Sequence, residues 1–129
     1  MSQENSDVGL DERGLPAGYA FKDDWEITPR EVAAMRRAGR DFDLIDCRQP
    51  LEWEQTRIEG ATLIPLQLIA AHFEDKLAGR EEREVVVYCK VGGRSLQFAQ
   101  ILRQNGFKNV KSMAGGIMLW NADGACRDT

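Results

Sequence analysis

With 129 residues, 43% of them hydrophobic and 29% charged, the chain is long enough to bury one core and too ordinary in composition to be disordered over most of its length. A net charge of -4 speaks against nucleic acid as a partner, because phosphate binding draws on a basic surface. No apolar run approaches membrane-spanning length, and the N-terminus lacks the charged-then-apolar pattern of a secretory leader; a cytoplasmic protein with no membrane partner is expected.

The cysteines Cys47, Cys89 and Cys126 contain no C-x-x-C pair and are too few for a disulfide framework, which fits a reducing compartment. They lack zinc-ligand spacing, and His72 is the single histidine, so neither a metal site nor a cofactor is expected.

Residues 1–24 are polar and without sustained periodicity, and read as an N-terminal arm that is either mobile or partly docked, with Tyr19, Phe21 and Trp25 as the aromatics able to anchor its end. The domain is expected over residues 25–122. Thr28-Pro29-Arg30-Glu31 has capping-box spacing with proline at the first helical position, so a helix starts there, with Val32 and Met35 on its apolar edge and Gly39 as its stop. Residues 42–47 read as a short buried strand, 51–54 as a short helix, and 61–64 as a second strand ended by Pro65. From Leu66 to Leu77 the spacing of Leu66, Ile69, Ala70 and Phe73 predicts one helix. His72 flanks its apolar stripe and reads as a partly exposed helix residue rather than a catalyst.

Residues 84–88 form the strongest strand, with valine at three successive positions, as expected for a strand buried on both faces of a parallel sheet. Cys89 to Arg94 reads as a loop, Ser95 to Asn105 as a helix stopped by Gly106, and residues 109–113 as a last strand before Gly115-Gly116 and a short helix through Trp120. Residues 123–129 are a polar tail in which Cys126 is expected as a free thiol without function. Strands alternating with helices through short connections imply an α/β domain with a mainly parallel sheet covered on both faces. Ligands of such sheets bind at the carboxyl ends of strands, where Cys89 stands.

The run Cys89-Lys90-Val91-Gly92-Gly93-Arg94-Ser95 joins a buried strand to a helix N-terminus. Gly92 and Gly93 can take positive φ and let backbone N–H groups converge on one point, while the helix dipole, Lys90 and Arg94 add positive charge. Such surroundings lower a cysteine pKa from about 8.5 into the range of roughly 3.5 to 7.5, giving a thiolate at neutral pH without a histidine base. A cysteine protease is disfavoured, because no Cys-His pair is available. The bland alternative is a buried cysteine before a tight turn.

In this region the sequence resembles the rhodanese family, over roughly Thr28 to Trp120. Leu44-Ile45-Asp46-Cys47-Arg48 followed by Glu52-Trp53 is similar to the family's Asp-x-Arg strand motif, and Arg57-Ile58-Glu59-Gly60-Ala61 to its His-Ile-x-Gly-Ala motif, with Arg57 in place of the histidine. Cys89 to Arg94 is similar to the active-site loop, and Ala114-Gly115-Gly116-Ile117 with Trp120 to the Gly-Gly-x-x-x-Trp signature. The arginine variation and the Cys-Lys-x-Gly-x-Arg-Ser loop resemble rhodanese domains fused to enzymes that adenylate sulfur-carrier proteins.

The resemblance implies a three-layer α/β/α domain around a mainly parallel five-stranded sheet. It implies a sulfurtransferase in which Cys89 carries sulfane sulfur as a persulfide, cradled by Lys90, Val91, Gly92, Gly93, Arg94 and Ser95 and supported by Asp46 and Arg48. The donor would be a small molecule such as thiosulfate, and the acceptor a sulfur-carrier or other thiol protein. Asp46 and Arg48 are expected as structural partners, Trp53 and Trp120 as core packing. Cys47 is expected as a buried inert thiol, a resolving partner for oxidised Cys89 being the alternative. Two rival readings remain: a phosphatase or arsenate reductase of the cell-cycle phosphatase type, which also uses a loop thiolate, and a non-catalytic binding module of the same fold.

Overall fold

The computed structural model describes residues 9–127. Five strands, β1 (Glu26–Ile27), β2 (Asp43–Asp46), β3 (Thr62–Leu63), β4 (Val85–Tyr88) and β5 (Val110–Met113), form one sheet in the order β1-β5-β4-β2-β3. Every pairing is parallel. β4 lies in the middle, and its side chains alternate between the two faces with the two-residue period of a strand. Val85 and Val87 join Ile45, Phe98, Leu102 and Phe107 on one face. Val86 and Tyr88 join Leu44, Val32, Met113 and Trp120 on the other. Burial on both faces is why the valine run reads as continuous rather than alternating.

The helices are α1 (Pro29–Arg37), α2 (Pro50–Gln55), α3 (Ile69–His72), α4 (Gly93–Gln104), α5 (Gly116–Ala122) and α6 (Gly124–Arg127). At the start of α1 the capping box is complete: the Glu31 N–H donates to Thr28 Oγ1 at 3.1 Å and the Thr28 N–H to Glu31 Oε1 at 2.9 Å. The three-layer arrangement inferred from the sequence is the one observed. Among the described residues, no helix is long and apolar enough to cross a membrane.

Residues 66–77 depart from the single helix predicted. A 3-10 turn over Leu66–Leu68, the α-turn of α3 and a π-turn over Phe73–Leu77 follow one another. The core contacts Leu66, Ile69, Phe73 and Leu77 are spaced by three, four and four residues, so one apolar stripe is kept through the changes of winding. The π-turn closes with the Ala78 N–H donating to Phe73 O at 2.7 Å. His72 is half-buried, with Nδ1 3.8 Å from Asp75.

Both ends of the described chain differ from a plain arm and tail. Residues 9–24 lie folded against the domain: Leu15 is buried with Ala114 and Leu119, and Tyr19 Oη donates to Glu26 Oε2 at 2.7 Å. Trp25 lies under the Arg103 guanidinium at 3.7 Å. Residues 1–8 of the expected arm lie outside the described residues. At the other end α6 returns to the core, where Cys126 is fully buried rather than lying in a polar tail. The cause is Asp123, also fully buried, whose carboxylate receives Arg30 Nε at 2.7 Å and Nη2 at 3.1 Å. That fork ties the end of α5 to α1.

Candidate active site

Cys89 follows β4 directly, and α4 begins four residues later. Gly92 caps α4 with φ 118°, a conformation that side chains strain to adopt. Gly93 has no positive φ; it simply opens the helix, so the sequence expectation of two left-handed glycines holds for one. The turn at Gly92 swings its N–H to 3.1 Å from Cys89 Sγ, and the first turn of α4 brings the Ser95 N–H to 3.4 Å. Ser95 Oγ stands 3.4 Å from the same sulfur. Of the residues 90–95 implied as the cradle, Gly92 and Ser95 are the ones whose amides donate to the sulfur itself.

A second strand end completes the cradle. Asp46 pairs in register with Tyr88, so Cys47 and Cys89 extend neighbouring parallel strands side by side, and the Cys47 N–H donates to Tyr88 O at 3.0 Å. The neighbouring Cys47 thiol is the largest influence lowering the Cys89 pKa to about 5; burial opposes it, and Ser95 Oγ and the Ser95 and Gly92 amides add to it. Cys47 is pushed upward by the same contact, by burial and by the neighbouring charge. One proton therefore stays on Cys47 while Cys89 carries the negative charge, although the Cys89 residue is only 1% exposed.

The other predicted residues take distinct places. Arg94 forks onto Glu52, Nη1 to Oε1 at 2.9 Å and Nη2 to Oε2 at 3.0 Å, and so links α4 to α2. Lys90 and Val91 are exposed at the rim. Asp46 and Arg48 form a buried pair at 2.7 Å, and Arg48 Nη2 also donates to Thr56 O at 2.6 Å, which holds the segment around α2. Trp120 is core, as expected; Trp53 is half-buried with the Arg57 guanidinium 4.7 Å above its ring.

The paired glycines close the site from behind. The Ile117 N–H donates to Cys89 O at 2.9 Å and the Met118 N–H to Lys90 O at 3.1 Å, so the first turn of α5 grips the loop backbone. Sequence reasoning did not find Ser112. Buried on β5, its Oγ lies 2.7 Å from Ser95 Oγ. Its signal in the sequence is a small hydroxyl between Val110 and Met113, both of which face the core.

A sequence model of the rhodanese-like domain matches residues 28–123. The chain belongs to the rhodanese-like domain family. A "Sulfurtransferase" of Allochromatium vinosum is 36% identical over 99 residues, covering 77% of this chain and 90% of that protein. A "Probable adenylyltransferase/sulfurtransferase MoeZ" of Mycobacterium tuberculosis is 39% identical over 94 residues, covering 73% of this chain but 24% of that protein. This rhodanese-like chain thus spans about a quarter of the mycobacterial relative. Among solved structures, the human single-domain sulfurtransferase TSTD1 is similar with a TM-score of 0.66 at 25% identity, over 74% of this chain and 94% of the human one. A Staphylococcus saprophyticus protein has a TM-score of 0.68 at 28% identity, over 78% and 96% of the two chains. Rhodanese-like relatives of both kinds, stand-alone and fused to an adenylyltransferase, support a sulfurtransferase-type role.

Proposed function

We propose that the protein is a sulfurtransferase that accepts sulfane sulfur on Cys89 and passes it to a thiol acceptor. The observation that carries this reading is the buried Cys89 sulfur facing the amides of Gly92 and Ser95, a setting that lowers its pKa to about 5. The Cys89 thiolate attacks the outer sulfur of a donor such as thiosulfate. A new S–S bond forms, the donor's S–S bond breaks, and sulfite leaves with the bonding electron pair. An acceptor thiolate then attacks the outer sulfur of the Cys89 persulfide, and Cys89 departs again as thiolate. No external oxidant or reductant is needed, because each step is a displacement in which the sulfane sulfur passes from one nucleophile to the next and the leaving group keeps the bonding pair. The helix dipole of α4 and the two amides favour negative charge at both ends of this cycle.

A protein acceptor suits the rim. Among the described residues the large apolar side chains left exposed are Leu51, Leu68, Val91 and Met118. Leu51, Leu68, Val91 and Met118 follow β2, β3, β4 and β5 respectively, on the edge of the sheet where Cys89 stands. A sulfur-carrier or other thiol protein in the cytoplasm is the acceptor this favours, since exposed apolar groups gathered around a site mark protein contact. The test is mass spectrometry after incubation with thiosulfate. A gain of one sulfur atom on the Cys89 peptide, absent in Cys89→Ser, is expected; an unmodified wild-type protein refutes the reading. Cys89-dependent hydrolysis of an aryl phosphate would replace it with the phosphatase reading.

A further inference from the structure

Three strands meet at Cys89. β4 carries it, while β2 and β5 flank β4 on either side. Each flanking strand places a small polar side chain beside the loop, at positions the family motifs leave open. On the β2 side stands Cys47, fully buried and in the same apolar cluster as Cys89, so both thiols lie on one face of the sheet. Its backbone groups are already used, N–H to Tyr88 O at 3.0 Å and carbonyl oxygen accepting from Leu66 N at 3.1 Å. The thiol proton is what remains, and the register that pairs Asp46 with Tyr88 sets the Cys89 sulfur next to it on the same face of the sheet.

On the β5 side stands Ser112, paired in register with Val87 and fully buried. Ser95 has one hydroxyl proton and three neighbours for it: Ser112 Oγ at 2.7 Å, Gly92 O at 3.2 Å and Cys89 Sγ at 3.4 Å. If Ser95 donated to Ser112, the Ser112 proton would be left without an acceptor in a dry interior, which is costly. If Ser112 donates to Ser95 instead, both hydroxyls are satisfied and the Ser95 proton is turned toward Gly92 O and the Cys89 sulfur. A negative charge on that sulfur draws the proton to it, and the chain Ser112 to Ser95 to Cys89 strengthens through mutual polarisation.

We propose that Cys47 and Ser112, one from each strand flanking β4, are the buried donors that hold the Cys89 sulfur ready for sulfur transfer, Cys47 directly and Ser112 as a positioning residue acting through Ser95. The proposal rests on the sulfurtransferase reading of Cys89 and deepens it. Both donors act twice in a cycle, since charge sits on Cys89 Sγ before donor attack and returns to it when the acceptor removes the outer sulfur. The charged and titratable groups around the pair are Arg94 of α4, itself forked onto Glu52 of α2, Asp46 beside Cys47, and the Tyr19 phenol bonded to Glu26 of β1. None of them changes in the variants below.

The experiment follows the ultraviolet thiolate absorbance of Cys89 against pH in the full chain, each protein corrected by its own Cys89→Ser counterpart, together with persulfide formation from thiosulfate. Cys47→Ala is expected to raise the thiolate midpoint by about one pH unit, the size expected for losing a hydrogen bond to a charged group. Cys47→Ser, whose hydroxyl still donates, is expected to return the midpoint close to wild type. Ser112→Ala is expected to raise it less than Cys47→Ala. A purely structural role would lower the melting temperature of these variants and leave the midpoint in place. A folded Cys47→Ala protein with a wild-type midpoint overturns the assignment of Cys47, and the same result in Ser112→Ala overturns that of Ser112. If the midpoints shift as expected while wild-type protein gains no sulfur, the donors stand and the sulfurtransferase reading falls.

Discussion

A Cβ built on Gly116 would stand 2.3 Å from the carbonyl oxygen of Lys90 and 2.6 Å from that of Cys89. Gly116 also holds φ at 62°, where side chains are strained. Its lack of a side chain lets α5 dock on the loop and donate to the carbonyls of Cys89 and Lys90. Gly116→Ala must therefore push the loop and α5 apart. A loss of about 2–3 kcal/mol in stability is expected, with little persulfide formed at temperatures where the variant is still folded. Gly79→Ala is the control: its φ is 86° but its Cβ would meet open space. That variant is expected to cost about 1 kcal/mol and no activity. Equal melting temperatures for Gly116→Ala and wild type would refute the role of this contact.

Cys89 titrates near 5 in the folded protein, pulled down first by Cys47 and then by Ser95 and Gly92, against about 8.5 for an unfolded cysteine. Between these values the unfolded chain binds more protons at this group than the folded one, so its contribution to stability rises with pH from about 5 to about 8.5. The contribution is complete above the upper value and lost as pH falls through the lower one. Denaturant midpoints of wild type measured across this window are expected to rise more steeply with pH than those of Cys89→Ser. Parallel curves would mean that Cys89 is not ionised in the native state. Persulfide formation is expected to hold from neutral pH down to about 5 and fall below it.

What could be read from the sequence was local. The valine run of β4 and the capping box at Thr28 announce themselves within a few residues and lie where expected, while the loop read through Arg94 ends at Gly92, because α4 opens at Gly93. What could not be read depends on partners distant in the chain. β1 has two residues, Glu26 and Ile27, and exists because Ser112 N donates to Trp25 O at 2.8 Å and Ala114 N to Ile27 O at 2.9 Å. A buried glutamate would not suggest a strand; here the Tyr19 hydroxyl and the Lys22 N–H satisfy it. Cys47 reads as an inert thiol until register sets it beside Cys89, and Ser112 has no meaning until Ser95 arrives from α4. The winding changes over residues 66–77 likewise leave no mark in the apolar spacing, which stays helical throughout.

The docked ends make stability and activity separable. Deleting residues 1–24 removes Leu15 from its contacts with Ala114 and Leu119 and the Tyr19 bond to Glu26, leaving that buried carboxylate short of a donor. The melting temperature is expected to fall by several degrees, about 2 kcal/mol or more, while persulfide formation by the folded fraction persists. Asp123→Ala removes the fully buried carboxylate that receives Arg30 Nε and Nη2 and is expected to cost about 1.5–3 kcal/mol, the size of lost hydrogen bonds between charged groups. An unchanged melting temperature in the deletion would show that residues 9–24 add nothing to the core.

Anion size is the sharpest discriminator between sulfur and phosphate chemistry, because the thiolate and the helix N-terminus are common to both. Four residues separate Cys89 from Arg94, and within them the N–H groups close enough to donate to the sulfur are Gly92 at 3.1 Å and, one residue beyond, Ser95 at 3.4 Å. Donors bonded to the Cys89 sulfur itself can serve a persulfide, whose outer atom is a single sulfur close to the inner one. A tetrahedral phosphate needs a wider ring, with several donors reaching its equatorial oxygens while the sulfur stands in line behind phosphorus. Arg94, the cation placed to bind such oxygens, is instead forked onto Glu52, which it holds ionised with a pKa of about 2. Freeing it would break two charge-assisted bonds. Inserting one glycine between Val91 and Gly92 should widen the ring and move the Gly92 amide off the sulfur, so persulfide formation from thiosulfate is expected to drop at least tenfold. Wild type is expected to hydrolyse no aryl phosphate above the Cys89→Ser background. If wild type hydrolyses phosphate and the insertion leaves sulfur transfer unchanged, loop radius does not set the selectivity of this thiolate.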